Sequence, residues 1–130
     1  MGQPAAKQGD RVTAVDTHIV MIPSPGGPVP TPLPHPFSGI IGGGLSPNVK
    51  IMGRNAATVG STADNLPPHI PQGGPFQRPP SNRAQLVVGS PTVFINGKPV
   101  VRNGDTALTC NDPVDLPVGT VIAIGTVLVA

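Results

Sequence analysis

The chain has no tryptophan, no tyrosine and no glutamate, and its only phenyl rings are Phe37, Phe76 and Phe94. With so few rings, stacking contributes little to a core, and a fold of 130 residues gains from a further cross-link. A lone cysteine, Cys110, excludes an internal disulfide and fits synthesis in a reducing compartment. Charged residues make up only 11% of the chain, and the net charge of +2 comes without any basic run. Nucleic-acid binding is therefore not expected, because it wants clustered Lys or Arg beside stacking rings. The apolar tail over residues 118–130 is about half of what a bilayer span requires and reads as a buried strand. The first residues are polar and carry proline, unlike a secretory signal, so cytoplasmic synthesis without conventional export is expected.

What the chain has in abundance is 17 glycines and 19 prolines. They interrupt nearly every window long enough for a helix. Such a composition alone would suit disorder, but a hydrophobic fraction of 38% and runs of alternating β-branched residues argue for a compact β structure with many tight turns. The expectation is one all-β domain over residues 1–130. Strands are predicted at 11–15, 19–22, 48–52, 86–88, 92–95, 100–102 and 121–129. Asn96-Gly97 supplies a hairpin turn. Residues 23–36 and 67–80, rich in proline, are expected as extended loops, either linkers or ordered walls held by His35 and His69 and pinned by Phe37 and Phe76.

Three segments share one pattern: Gly2-Gln3-Pro4-Ala5-Ala6-Lys7-Gln8-Gly9-Asp10, Gly53-Arg54-Asn55-Ala56-Ala57-Thr58-Val59-Gly60-Ser61 and Gly97-Lys98-Pro99-Val100-Val101-Arg102-Asn103-Gly104-Asp105. Their first glycines are offset by 51 residues (Gly2 to Gly53) and 44 residues (Gly53 to Gly97). Val49-x-Ile51 and Val93-x-Ile95 precede the second and third copies, and Val121-x-Ala123-x-Gly125 is a near match to serve the first. A unit made three times lets one chain approximate a threefold axis, with the two chain ends closing the figure. Asp10 and Asp105 read as turn caps. Three copies of the unit can offer three similar patches of backbone and small side chains to a trimeric partner, drawn from Ala5/Ala6, Ala56/Ala57 and Val100/Val101. Neighbours in a strand point to opposite sides, so the pattern leaves open which of them face the partner and which the interior.

Three histidines and the cysteine are the candidates for chemistry. His18 follows Gly9, and His69 follows Gly60, by nine residues; Cys110 follows Gly104 by six, and His35 lies in a proline-rich stretch. Repeat units bring such positions together, and His₃Cys suits tetrahedral zinc. The linear spacing itself resembles no common zinc pattern, so isolated His and Cys without a metal remain the competing reading. Catalysis has little support: all six acids are Asp, four protein ligands would close a zinc site, and nothing local marks a Cys110/His nucleophile pair. The two alternatives are a small zinc metalloenzyme with an open position at the same histidines, and a proline-rich interaction module.

Pro4-Ala5-Ala6-Lys7-Gln8-Gly9-Asp10, with its relatives Asn55-Ala56-Ala57-Thr58 and Pro99-Val100-Val101-Arg102, resembles the signature of PAAR-repeat proteins, with Lys7 in place of the arginine. The resemblance implies a small pseudo-threefold β cone with extended Pro/Gly-rich loops. It also implies a zinc ion near the apex, bound by His18, His35, His69 and Cys110. Relatives of this kind cap the needle of contractile injection machines, such as type VI secretion systems and related phage-tail-like particles. By that likeness the chain is a non-enzymatic tip, monomeric on its own, seated one per homotrimeric VgrG-like β-helical spike. It would sharpen the spike, carry effector cargo, pierce a target membrane transiently, and leave the cell on the ejected particle. Many relatives carry a fused toxin; nothing flanks the repeats here, so no fused effector is expected.

Overall fold

A computed structural model of the chain describes residues 2–130, and no helix occurs among them. The strands are β1 (Gln3–Pro4), β2 (Arg11–Ile22), β3 (Val29–Gly43), β4 (Lys50–Ile51), β5 (Arg54–Asn55), β6 (Thr62–Asn65), β7 (Arg83–Leu86), β8 (Phe94–Ile95), β9 (Lys98–Pro99), β10 (Thr106–Thr109), β11 (Leu116–Ile122) and β12 (Leu128–Val129). Six of them close an antiparallel barrel in the order β10-β11-β2-β3-β6-β7. The remainder form three two-stranded pairs, β1/β12, β4/β5 and β8/β9. The all-β expectation holds.

The threefold repetition is visible in single hydrogen bonds. Ala6 N donates to Val101 O (2.8 Å), Val101 N to Ala57 O (3.2 Å), and Ala57 N to Ala6 O (3.0 Å), which closes a ring of three amides. Each copy then turns through a left-handed glycine, Gly9, Gly60 or Gly104, a conformation open to glycine because it has no Cβ. In each turn the side chain after that glycine accepts the same backbone N–H: Lys7 N to Asp10 Oδ2 (3.0 Å), Thr58 N to Ser61 Oγ (3.0 Å), Arg102 N to Asp105 Oδ2 (2.8 Å). The aspartates are turn caps, as their position after glycine predicts. From each turn one hairpin of the barrel departs: β2/β3, β6/β7 and β10/β11. Ile41, Leu86 and Val121 occupy matching places inside it and are fully buried.

Closure of the chain ends is also present, with a different register. Val121 belongs to the barrel, and the strand that serves the first copy is β12. Gln3 pairs with Val129 and Pro4 with Leu128, while Ala5 N donates to Val127 O (2.9 Å) as Ala56 N does to Val49 O (3.0 Å) and Val100 N to Val93 O (3.1 Å). The matching triplet is therefore Val127-x-Val129, six residues beyond the near match at Val121.

Two further expectations change. Residues 23–36 are not wholly loop: β3 begins at Val29 and runs beside β2 in unbroken register from Ile22↔Val29 to Arg11↔Ile40. Pro30, Pro32, Pro34 and Pro36 fall on alternate residues, and successive N–H groups of a strand point to opposite edges, so these prolines remove donors from one edge only. β2 uses the other edge. Residues 67–80 do remain loop, tied to β2 by a bridge between Phe76 and Val20. Second, Ala5, Ala6, Ala56, Ala57, Val100 and Val101 are all between 0% and 1% exposed. They are core and cannot be the patches that meet a partner.

The molecule tapers away from this threefold end. β6, β7 and β10 have four residues each, whereas β2 has 12 and β3 has 15, so beyond the barrel one hairpin continues. Inner positions change character along the way. Val12, Ala63 and Ala107 make an apolar layer; two residues on, Ala14, Asn65 and Thr109 replace it; then come Asp16 and Asn111. Apolar packing runs out where the walls converge.

Candidate metal centre

At the tapered end His18, His35, His69 and Cys110 come together, all buried. Side chains of a strand alternate between faces, so on β2 the inward set Val12, Ala14, Asp16 carries on to His18. His35 stands opposite Asp16 on β3 and shares its face. His69 lies not on a strand but in the loop after β6, where its N–H donates to Asn82 Oδ1 (2.7 Å). Its equal offset to His18 from the repeat glycine thus arises without equivalent backbone. Cys110 directly follows β10, whose pairing with β11 shifts register between Ala107 and Thr109, and with its offset of six it is level with Val15 of β2, not with His18.

The imidazole rings pack closely, with centroids 4.9 Å apart for His18 and His69 and 5.6 Å for His35 with either. His35 Nδ1 donates to Leu33 O (3.0 Å), since a carbonyl only accepts. Its Nε2 is left with a bare lone pair, buried and without a partner; both ring nitrogens of His18 are likewise unpartnered. Buried polar atoms nearly always have a partner, so three orphans in one cluster signal a ligand of the site. A metal ion fits them. Asp16, which nothing in the sequence singled out, joins the group: donor atoms of Asp16, His18, His69 and Cys110 all lie within 4.8 Å of one another, and this buried set could hold a metal ion.

Outer contacts orient these side chains. Asn65 Oδ1 accepts from Ser38 N (2.9 Å), so its amide nitrogen faces His69 Nδ1 (3.3 Å), and His69 Nε2 points at Asp16 Oδ2 (2.9 Å). Asp112 accepts from Ile19 N (2.9 Å) and Arg78 Nη2 (2.8 Å) and stands 3.6 Å from His18 Nδ1. Burial alone would raise the Asp112 carboxyl; the Ile19 amide, Arg78 and His18 outweigh it and hold the group below its usual value. Burial, then the neighbouring His69, pushes His18 down. Burial, then Asp16, pushes the Cys110 thiol up to about 11. Both shifts disfavour charge in a metal-free pocket, and a bound cation reverses that preference for the thiol.

Comparison with protein families matches residues 21–115 to the PAAR motif. With that match spanning well over half of its length, and with three interlocked copies of the motif turn, the chain belongs to the PAAR motif family. The matched region contains His35, His69 and Cys110 and stops short of His18 and the first copy. No curated protein matches the chain.

Proposed function

We propose that this chain is a structural, zinc-stabilised tip that caps and sharpens the trimeric spike of a contractile injection machine. The observation that carries the reading is the set of unpartnered buried nitrogens on His18 and His35, converging with His69 and Cys110 where the barrel narrows. His18, His35, His69 and Cys110 would hold the ion. A thiolate beside imidazoles favours zinc over hard cations such as magnesium or calcium. Zinc there supplies cross-linking: it ties two strands and two loops where no apolar core can form. Four buried donor side chains within 4.8 Å of one another, with the His35 ring packed beside two of them, favour a closed, non-catalytic site over a metalloenzyme, which keeps a position open for water.

The opposite end suits a threefold partner. β4/β5 and β8/β9 turn at Met52-Gly53 and Asn96-Gly97, all four residues with positive φ, and β1/β12 completes the trio. Met52, Phe94 and Leu128 are more than half exposed on these pairs. Lys50, Arg54 and Lys98 stand exposed at the same end without an acidic partner among the described residues. One copy would meet three identical subunits of a VgrG-like β-helical spike through these tips and would be monomeric by itself. In this reading the chain is made in the cytoplasm, rides the particle with any effector cargo, and leaves the cell when the machine fires. The test is to mix the purified chain with the spike trimer of the same machine. Co-elution with full zinc content supports the reading, and separate elution of folded partners contradicts it.

A further inference from the structure

The His₃Cys set leaves Asp16 without a role, yet Asp16 is fully buried between two of its members. Asp16 Oδ1 accepts from Thr109 Oγ1 (2.5 Å) and Asn111 Nδ2 (3.5 Å). Asp16 Oδ2 lies 2.9 Å from His69 Nε2 and 3.4 Å from Cys110 Sγ. No Lys or Arg pairs with it among the described residues, whereas Asp10 has Lys7, Asp105 has Arg102 and Asp112 has Arg78. A carboxylate buried without a cation is strongly unfavourable, so the position of Asp16 calls for a positive charge among the histidines.

Donor atoms that bind one zinc at roughly 2.0 to 2.3 Å sit about 3 to 3.5 Å from each other. The two Oδ2 distances, 2.9 and 3.4 Å, suit atoms that share an ion. Thr109 and Asn111 meanwhile fix the other oxygen, which aims Oδ2 inward in the manner of outer-shell support for a ligand. We propose that Asp16 Oδ2 binds the ion directly beside His18, His69 and Cys110, with His35 facing the same point from β3, so that the shell mixes carboxylate, imidazole and thiolate. This rests on the metal-site reading above. Its consequence is a hard oxygen donor in an otherwise soft shell. Cobalt(II) should therefore be accepted in a geometry of more than four ligands.

The experiment compares the whole chain with its Asp16→Asn variant, using zinc and cobalt(II) as probes. With Asp16 as a ligand, Asp16→Asn gives up zinc to a competing chelator at least about tenfold more readily, and the visible cobalt bands change in position and intensity. A merely orienting Asp16 would also weaken binding, so the bands decide: unchanged cobalt bands overturn the proposal whatever the affinity. If wild-type chain binds neither zinc nor cobalt, the metal-site reading falls, and this proposal with it. Should Asp16→Asn fail to fold, a crystal of the wild-type zinc form located by anomalous scattering settles the point. Oδ2 at bonding distance upholds the proposal, and Oδ2 turned away from zinc overturns it.

Discussion

At the residue scale, the proposed metal site gives the buried histidines a role as ligands, and variants of the chain test it. Cys110→Ser or His35→Ala removes one donor, and because structural metal binding is largely folding free energy, the expected result is lower zinc content and a melting temperature lower by several degrees or more. An unchanged melting temperature for either variant would count against that residue. The pH response of the zinc-stripped chain follows from the same burial. His18 titrates lower in the folded chain than its usual 6.5, so below that pH the unfolded chain binds more protons and stability falls as pH drops. Cys110 titrates near 11 instead of 9.0, so above about pH 9 the folded chain holds the extra proton and stability falls as pH rises. Denaturant midpoints across pH should therefore peak between these limits; a flat profile would contradict the buried placement of both groups.

At the element scale, the short β12 closes the threefold figure. Deleting residues 127–130 removes the partner of β1 and uncovers Ala5 and the small apolar cluster around Ile51, Ala56 and Val100. Exposed edge and apolar surface should make the product aggregate, as measured by light scattering against the full chain; a soluble, normally folded truncation would refute the closure. Gly39 is a second sensitive point, because a Cβ there would stand 2.6 Å from the Phe37 ring. Much at this scale was legible in the residues. Asn96-Gly97 announced its hairpin, and the glycine-aspartate turns announced their caps. β6 and β10 were missed although Thr62-Ala63 and Thr106-Ala107 repeat Arg11-Val12 after each turn, a parallel that pointed to strands. β3 was hidden by its prolines, which read as ladder breakers until their spacing of two shows that one edge keeps every donor. Two predicted strands merged into β2 because Asp16 and His18, polar and seemingly interrupting, have their partners inside the fold. For the site, histidines and cysteine stood out by rarity and repeat offset; Asp16 did not, since its significance lies in contacts with residues 53 and 94 positions away.

At the scale of the whole molecule, one end is a threefold platform and the other a buried cluster of His, Cys and Asp that could hold a metal ion, joined by a barrel whose interior passes from apolar to polar. Arg introduced at Ala56 or Val100 should unfold the chain, with a penalty of roughly 3 kcal/mol or more, because both sites lie wholly inside. Spike contact is better probed by Phe94→Asp or Met52→Glu at the exposed tips. Those variants should keep zinc content and melting temperature while losing spike binding. Native mass spectrometry of the chain mixed with the trimeric spike proposed as its partner tests the central claim most directly, since it weighs protein and metal together. The account predicts a single complex of one chain, three spike subunits and one zinc ion, whereas a homotrimer of the chain alone, or a spike-bound chain without metal, would contradict it.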